Sequence, residues 1–201
     1  MQTAEPRVAD QPGALTEAEL LAACRAGKAA ALNELVRRYH GAVLRVCVSL
    51  IGSRDVDDVV QEVFIKILRR LDTFAGRSAF FTWIYEITVN QCRDELRRRK
   101  RRRWFSLQSL PTETVESFKA DEVAASERLE TEELHGHLRA ALNQLETKYR
   151  ELIVLRDLEG LSYEEIAKIQ KLNEKLVKSR LYQARQALAE KMQKYAEAFH
   201  A

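Results

Sequence analysis

Apolar residues recur every third or fourth position through most of this chain, so most of it must fold as helices that each bury one face. The clearest case begins at Asp55. Val56, Val59, Val60, Val63, Phe64, Ile67, Leu68 and Leu71 step by three and four, with Asp57, Asp58, Gln61 and Glu62 lying between them. The spacing predicts a helix over 55–71 with an apolar face inside and an acidic face outside, and an acidic amphipathic helix suggests a protein partner. Only seven Gly and three Pro punctuate 201 residues, which favours helices over a turn-rich β fold. The expected class is all-α.

Taken in order, residues 1–15 carry Pro6, Pro12 and Gly13 without periodicity and read as a flexible tail. Thr16, Glu17 and Glu19 open a helix that runs to Gly27. A second starts near Ala29, lines up Leu32, Leu35, Val36, Tyr39, Val43, Val46, Cys47 and Leu50, and closes at Gly52-Ser53. After the acidic helix comes a connection from Asp72 to Arg77, and Ser78 can cap a fourth helix, completing a unit over 16–103. Pro111, scattered Ser and Thr and a strong acidic excess make 104–135 a flexible linker.

Beyond it, 136–195 forms a second helical unit. Leu138, Leu142 and Leu145 mark one helix, and Leu152, Ile153, Leu155 and Leu158 a second that ends at Gly160. Ser162 with Glu165 is a capping box that opens a third, holding Ile166, Ala167 and Ile169. After a break at 170–173, Val177, Leu181 and Ala184 mark a longer helix, whose other side shows Lys175, Lys178, Arg180, Arg185 and Lys191. Two helices joined by a few residues, the second basic outside, is the helix-turn-helix plan for the major groove.

Charge is segregated. A net charge of +3 hides an unbroken basic run from Arg97 to Arg103 followed by an acidic linker. Just before the run, Phe74, Phe80, Phe81, Trp83 and Tyr85 crowd into a dozen positions. Planes for bases to stack on beside cations for phosphates are what single-stranded nucleic acid requires. Cys24, Cys47 and Cys92 are widely spaced, no apolar leader or membrane-length run is present, and a reducing cytoplasm is the expected setting. His135 and His137 lack a third ligand at metal-site spacing. Neither a nucleophile–base pair nor a phosphate-cradling Gly loop is visible, so neither an enzyme nor a cofactor is expected.

With both units in view, the chain resembles the extracytoplasmic-function sigma factors of the bacterial sigma-70 family. The matching stretches are Asp55 to Phe64; Phe74 with Ser78 to Tyr85, then Val89-Asn90 and Arg93-Asp94; Glu159 to Ala167; and Val177 to Leu181. They look like regions 2.2, 2.3–2.4 and 4 of that family. The resemblance implies two helical domains, region 2 and region 4, and a factor that gives core RNA polymerase its promoter choice. Asp55, Asp58, Gln61, Glu62 and Phe64 would dock on the polymerase. Phe74, Ser78, Phe81, Trp83, Asn90, Arg93, Arg97 and Arg98 would hold the opened −10 element. Lys175, Lys178, Ser179, Arg180, Tyr182, Gln183 and Arg185 would face duplex DNA at −35. An anti-sigma factor wedged between the two domains is a further implied partner; membrane insertion is not.

Two points stay open at this level. Phe80 and Trp83 recur at helical spacing with Ile84 and Ile87, which suits a core role, whereas Phe74 and Phe81 flank the loop and suit base contact better. The turn between the last two helices departs from the family: Lys171 stands where glycine is usual, and Lys175-Leu176 where Gly-Thr is common. A lysine takes the required backbone only under strain, so a rebuilt turn is expected. Gln183 and Glu146 likewise replace the more usual arginine and proline. The alternative function is a helix-turn-helix regulator that binds duplex DNA without joining a polymerase.

Overall fold

The computed structural model describes residues 15–109 and 136–199, with side chains for 15–104 and 136–193. The linker expected at 104–135 therefore lies largely outside the described residues, as does the tail before Leu15. Every regular element among the described residues is helical.

The first unit comprises α1 (Glu17–Arg25), α2 (Ala29–Ile51), α3 (Val56–Arg70), a 3₁₀ turn (Leu71–Thr73) and α4 (Phe80–Ser109). Thr16 and Glu19 form a reciprocal capping box at α1: the Thr16 oxygen accepts from the Glu19 amide, and the Glu19 carboxylate accepts from the Thr16 amide at 2.9 Å. Asp55 precedes α3 in the left-handed region, which aspartate tolerates better than most residues, and Asp57 and Asp58 complement the dipole of its first turn. Helix α4 begins at Phe80, and the first bond of its ladder runs from the Trp83 amide to the Ala79 carbonyl. Ala79 thus stands at the capping position expected for Ser78. The helix also runs past the basic tract to Ser109.

Helices α2, α3 and α4 pack on one another with α1 against α2, around Leu20, Leu35, Val43, Val46, Val63, Ile67, Phe80 and Ile84. Cys47 on α2 and Cys92 on α4 meet in this core, their sulfurs 3.7 Å apart. That contact, with burial second, pushes the Cys92 thiol well above its ordinary pKa.

The second unit holds α5 (136–143), α6 (Thr147–Ile153), a π turn (Val154–Leu158), α7 (Tyr163–Gln170) and α8 (Glu174–Phe199). The expected Ser162–Glu165 capping box is present at α7, and Asn173 caps α8 by accepting from the Leu176 amide at 2.8 Å. Between them the turn is not rebuilt. Lys171 takes the left-handed conformation at φ 54°, its amide bonding to the Lys168 carbonyl while the Leu172 amide reaches the Ala167 carbonyl. That is a Schellman end with lysine in the place glycine usually fills. Helix α8 packs on α6 and α7 through Val177, Leu181 and Ala184.

The two units also pack together, α7 along α4 and the 154–158 turn against α2, so their buried residues form one continuous cluster. Arg150 pins this junction. Its guanidinium is almost buried and donates to the carbonyls of Leu142, Asn143 and Leu145 in its own unit and of Leu50 at the end of α2, the last at 2.7 Å. Burial lowers its pKa from the usual arginine value.

Candidate docking and nucleic-acid surfaces

Helix α3 presents what its pattern requires. Val56, Val59, Val60, Val63 and Ile67 face inward, while Asp57, Asp58, Gln61 and Glu62 are exposed, with Ile65 and Leu68 continuing the outer face. Asp55 is exposed just ahead of them. Phe64, expected among the docking residues, is instead buried and stacks on the His40 ring at 6.1 Å, because it shares the stripe of Val60 and Ile67. Glu62 accepts from the Gln91 amide of α4, and Lys66 lies 3.6 Å from Asp94. Between α3 and the basic end of α4 runs an open groove of about 670 Å³, lined by Glu62, Lys66, Arg98, Arg101 and the exposed Trp104.

The aromatic block divides between core and rim. Phe80 is fully buried, with Tyr39 edge-on at 5.5 Å. Phe74 and Trp83 lie against it at 5.0 and 5.5 Å, and both remain half-buried. Arg25 holds the loop by donating to the Phe74 carbonyl at 2.8 Å. Ser78 is half-buried at the loop's end. Phe81 differs from its expected position at the loop: it is 8% exposed, edge-on to Tyr85 at 6.2 Å. One helical turn separates the pair, and the Tyr85 hydroxyl donates to Glu159 at 2.7 Å, so this face of α4 is turned to the second unit.

Further along α4, Asn90 is exposed, and its side-chain oxygen accepts from Arg93 at 3.3 Å. Arg93 also grips Glu151 of α6 with two parallel bonds of 2.7 and 2.5 Å. Gln170 of α7 completes the set: its oxygen accepts from Arg93, and its amide donates to Glu151 at 3.0 Å. The Glu151 hydrogen bond raises the Arg93 pKa. Arg97 pairs with Asp94, and Arg98 with Glu95 at 2.5 Å. Glu95 is buried beneath Arg98, Arg99 and Arg102. Burial alone would raise its pKa, but the Arg98 and Arg99 hydrogen bonds outweigh that and lower it.

On α8, Lys175, Lys178, Ser179, Tyr182, Gln183 and Arg185 are exposed and Arg180 is half-exposed, all on the side away from Val177 and Leu181. Tyr182 is 65% exposed. Lys178 sits over the Tyr163 ring at 5.2 Å, Tyr149 donates to Gln183 at 3.2 Å, and Arg185 grips Asp157. Sequence reasoning did not single out Glu151, Gln170, Arg45 or Arg150, since a polar residue on an amphipathic helix reads as exposed until the neighbouring unit is in place. No cluster able to hold a metal ion occurs among the described residues.

Comparison with known proteins agrees with this geometry. The family described as Sigma-70 region 2 matches residues 35–102, and Sigma-70, region 4 matches residues 135–188. The ECF RNA polymerase sigma-E factor of Escherichia coli (strain K12) is 40% identical over 182 residues, spanning 89% of this chain and 95% of that protein. Two solved structures share the architecture at a TM-score of 0.61 each. One is CnrH in complex with the cytosolic domain of CnrY, 29% identical over 85% of this chain and 93% of that one. The other is the sigma factor RpoE with the anti-sigma factor NepR from Bartonella quintana, 25% identical over 80% of this chain and 96% of that one. The chain belongs to the extracytoplasmic-function sigma factors of the sigma-70 family.

Proposed function

We propose that the chain docks on core RNA polymerase through the outer face of α3 and directs it to promoters read at two places, acting in the cytoplasm by binding rather than by bond chemistry. The observation that carries this is the exposed acidic face Asp58, Gln61 and Glu62, extended by Ile65 and Leu68, on a helix whose other side is core. A regulator that binds only duplex DNA has no use for it. Phe74, Trp83 and Asn90, with Ser78, would receive −10 bases after strand opening; Arg93, Arg97 and Arg98 would hold the phosphates. Unstacking costs a few kcal/mol per step. Stacking on an aromatic ring returns about 1–3 kcal/mol per base, so a few rings can trap an opened strand without fuel. The exposed basic side of α8 would enter the −35 groove. The relative solved in complex with the anti-sigma factor NepR supports control by an anti-sigma factor.

The test is binding of the full chain to bacterial core RNA polymerase by fluorescence anisotropy. The Asp58→Lys/Glu62→Lys variant should weaken it at least about a hundredfold, since like charges now face a partner that had been complementary. Unchanged polymerase binding by that variant would remove α3 from the interface. No binding by the unmutated chain, with duplex DNA affinity retained, would favour the regulator.

A further inference from the structure

Three of the α8 residues that would face the −35 duplex are tied to other elements of their own unit. Lys178 lies over the Tyr163 ring at 5.2 Å, Arg185 pairs with Asp157, and the Tyr149 hydroxyl donates to the Gln183 side-chain oxygen at 3.2 Å. The first two ties leave the chemistry of the reader unchanged, since lysine and arginine are donors in every orientation. The third does not. A glutamine amide carries an acceptor at one end and two donors at the other, so the end that is held decides what the other end can read.

Tyr149 is built to do the holding. It stands in the first turn of α6, with its amide bonded to the Glu146 carbonyl at 2.9 Å and its half-buried ring packed against the core. The Lys148 ammonium lies 4.8 Å from the centre of that ring, and Lys148 is itself paired with Glu146 at 2.7 Å. A ring seated in this way keeps its hydroxyl at a fixed place beside α8. Gln183 is exposed, and the last torsion of a glutamine is soft, so its amide takes whichever orientation its neighbours reward.

We propose that Tyr149 is a positioning residue that makes Gln183 select guanine in the −35 element. With the oxygen turned to α6, the amide nitrogen leads into the major groove, where guanine offers two acceptors, N7 and O6. The usual partner of glutamine is adenine, whose N6 donor needs the oxygen and whose N7 needs the nitrogen. Engaging the oxygen on Tyr149 removes half of that pair. The inference rests on the reading of α8 as the −35 helix.

The test assembles the full chain with core RNA polymerase, offers a pool of duplexes of random sequence, and reads the retained bases by sequencing. The position that loses its preference in Gln183→Ala is the one Gln183 reads, and the unmutated chain should hold guanine there. Tyr149→Phe keeps the ring and removes the hydroxyl alone. The guanine-to-adenine ratio at that position should fall about tenfold, within the range of one good bidentate pair, while other positions keep theirs. A merely structural loss would weaken retention of every sequence and move no single ratio. In a Gln183→Arg background, Tyr149→Phe should shift no base, because arginine has no acceptor for the hydroxyl to hold.

Adenine at the Gln183 position of the unmutated chain, the outcome for an amide turned the other way, overturns the proposal. So does a ratio that ignores Tyr149→Phe. Lys178→Ala separates this inference from the reading beneath it. If Lys178→Ala weakens retention while Gln183→Ala shifts no position, only the role of Gln183 and Tyr149 fails; if neither variant changes what is retained, the assignment of α8 to the −35 element fails with it.

Discussion

The α4 and α8 surfaces are both helical, both basic, and differ in what lies against them. Side chains on α8 proposed to face DNA sit opposite an apolar stripe buried within their own unit, so the fold of region 4 by itself leaves them exposed. The face of α4 that carries Phe81, Tyr85 and Arg93 is turned to the other unit, where Glu159 and Glu151 wait. One surface is made ready by its own fold. The other is partly covered by its neighbour.

The largest expected effect comes from breaking the junction at Arg150. Arg150→Ala leaves four carbonyls without their buried donor, within region 4 and at the end of α2, and should cost about 3 kcal/mol. A drop in the urea midpoint checks it. A smaller effect sharpens the comparison on the open surface. Lys178→Ala should weaken duplex DNA binding about fivefold and lower the salt slope by about 1. Arg93→Ala should lower single-strand binding and leave duplex binding unchanged, so equal effects on both would erase the distinction. The smallest is at the turn that aims α8. Lys171→Gly relieves a left-handed lysine at the loss of one long, exposed ion pair with Glu86, and should stabilise the chain by about 0.5–1 kcal/mol in urea unfolding.

Much of this architecture is legible in the sequence because helix periodicity is a local property. The stripe of α3, the Ser162–Glu165 cap and the basic side of α8 all lie where their spacing places them. Three features were not. Lys171 carries a glycine-type conformation that its identity argues against, because the Schellman bonds and the burial of neighbouring apolar residues outweigh about 1–2 kcal/mol of strain. Phe64 and Phe81 are attractive contact residues by type, yet a helix face one position away is enough to bury them. Most of all, Arg93 and Glu151 are 58 residues apart, and nothing in either helix announces that they meet. Contacts between units depend on a packing that no local pattern encodes.

The most direct measurement is transcription by core RNA polymerase on fragmented genomic DNA, with and without the purified chain, reading every start site. The account predicts new starts that appear only with the chain, share sequence elements near −10 and −35, and vanish with Asp58→Lys/Glu62→Lys. No new starts from a preparation that still binds duplex DNA would contradict it.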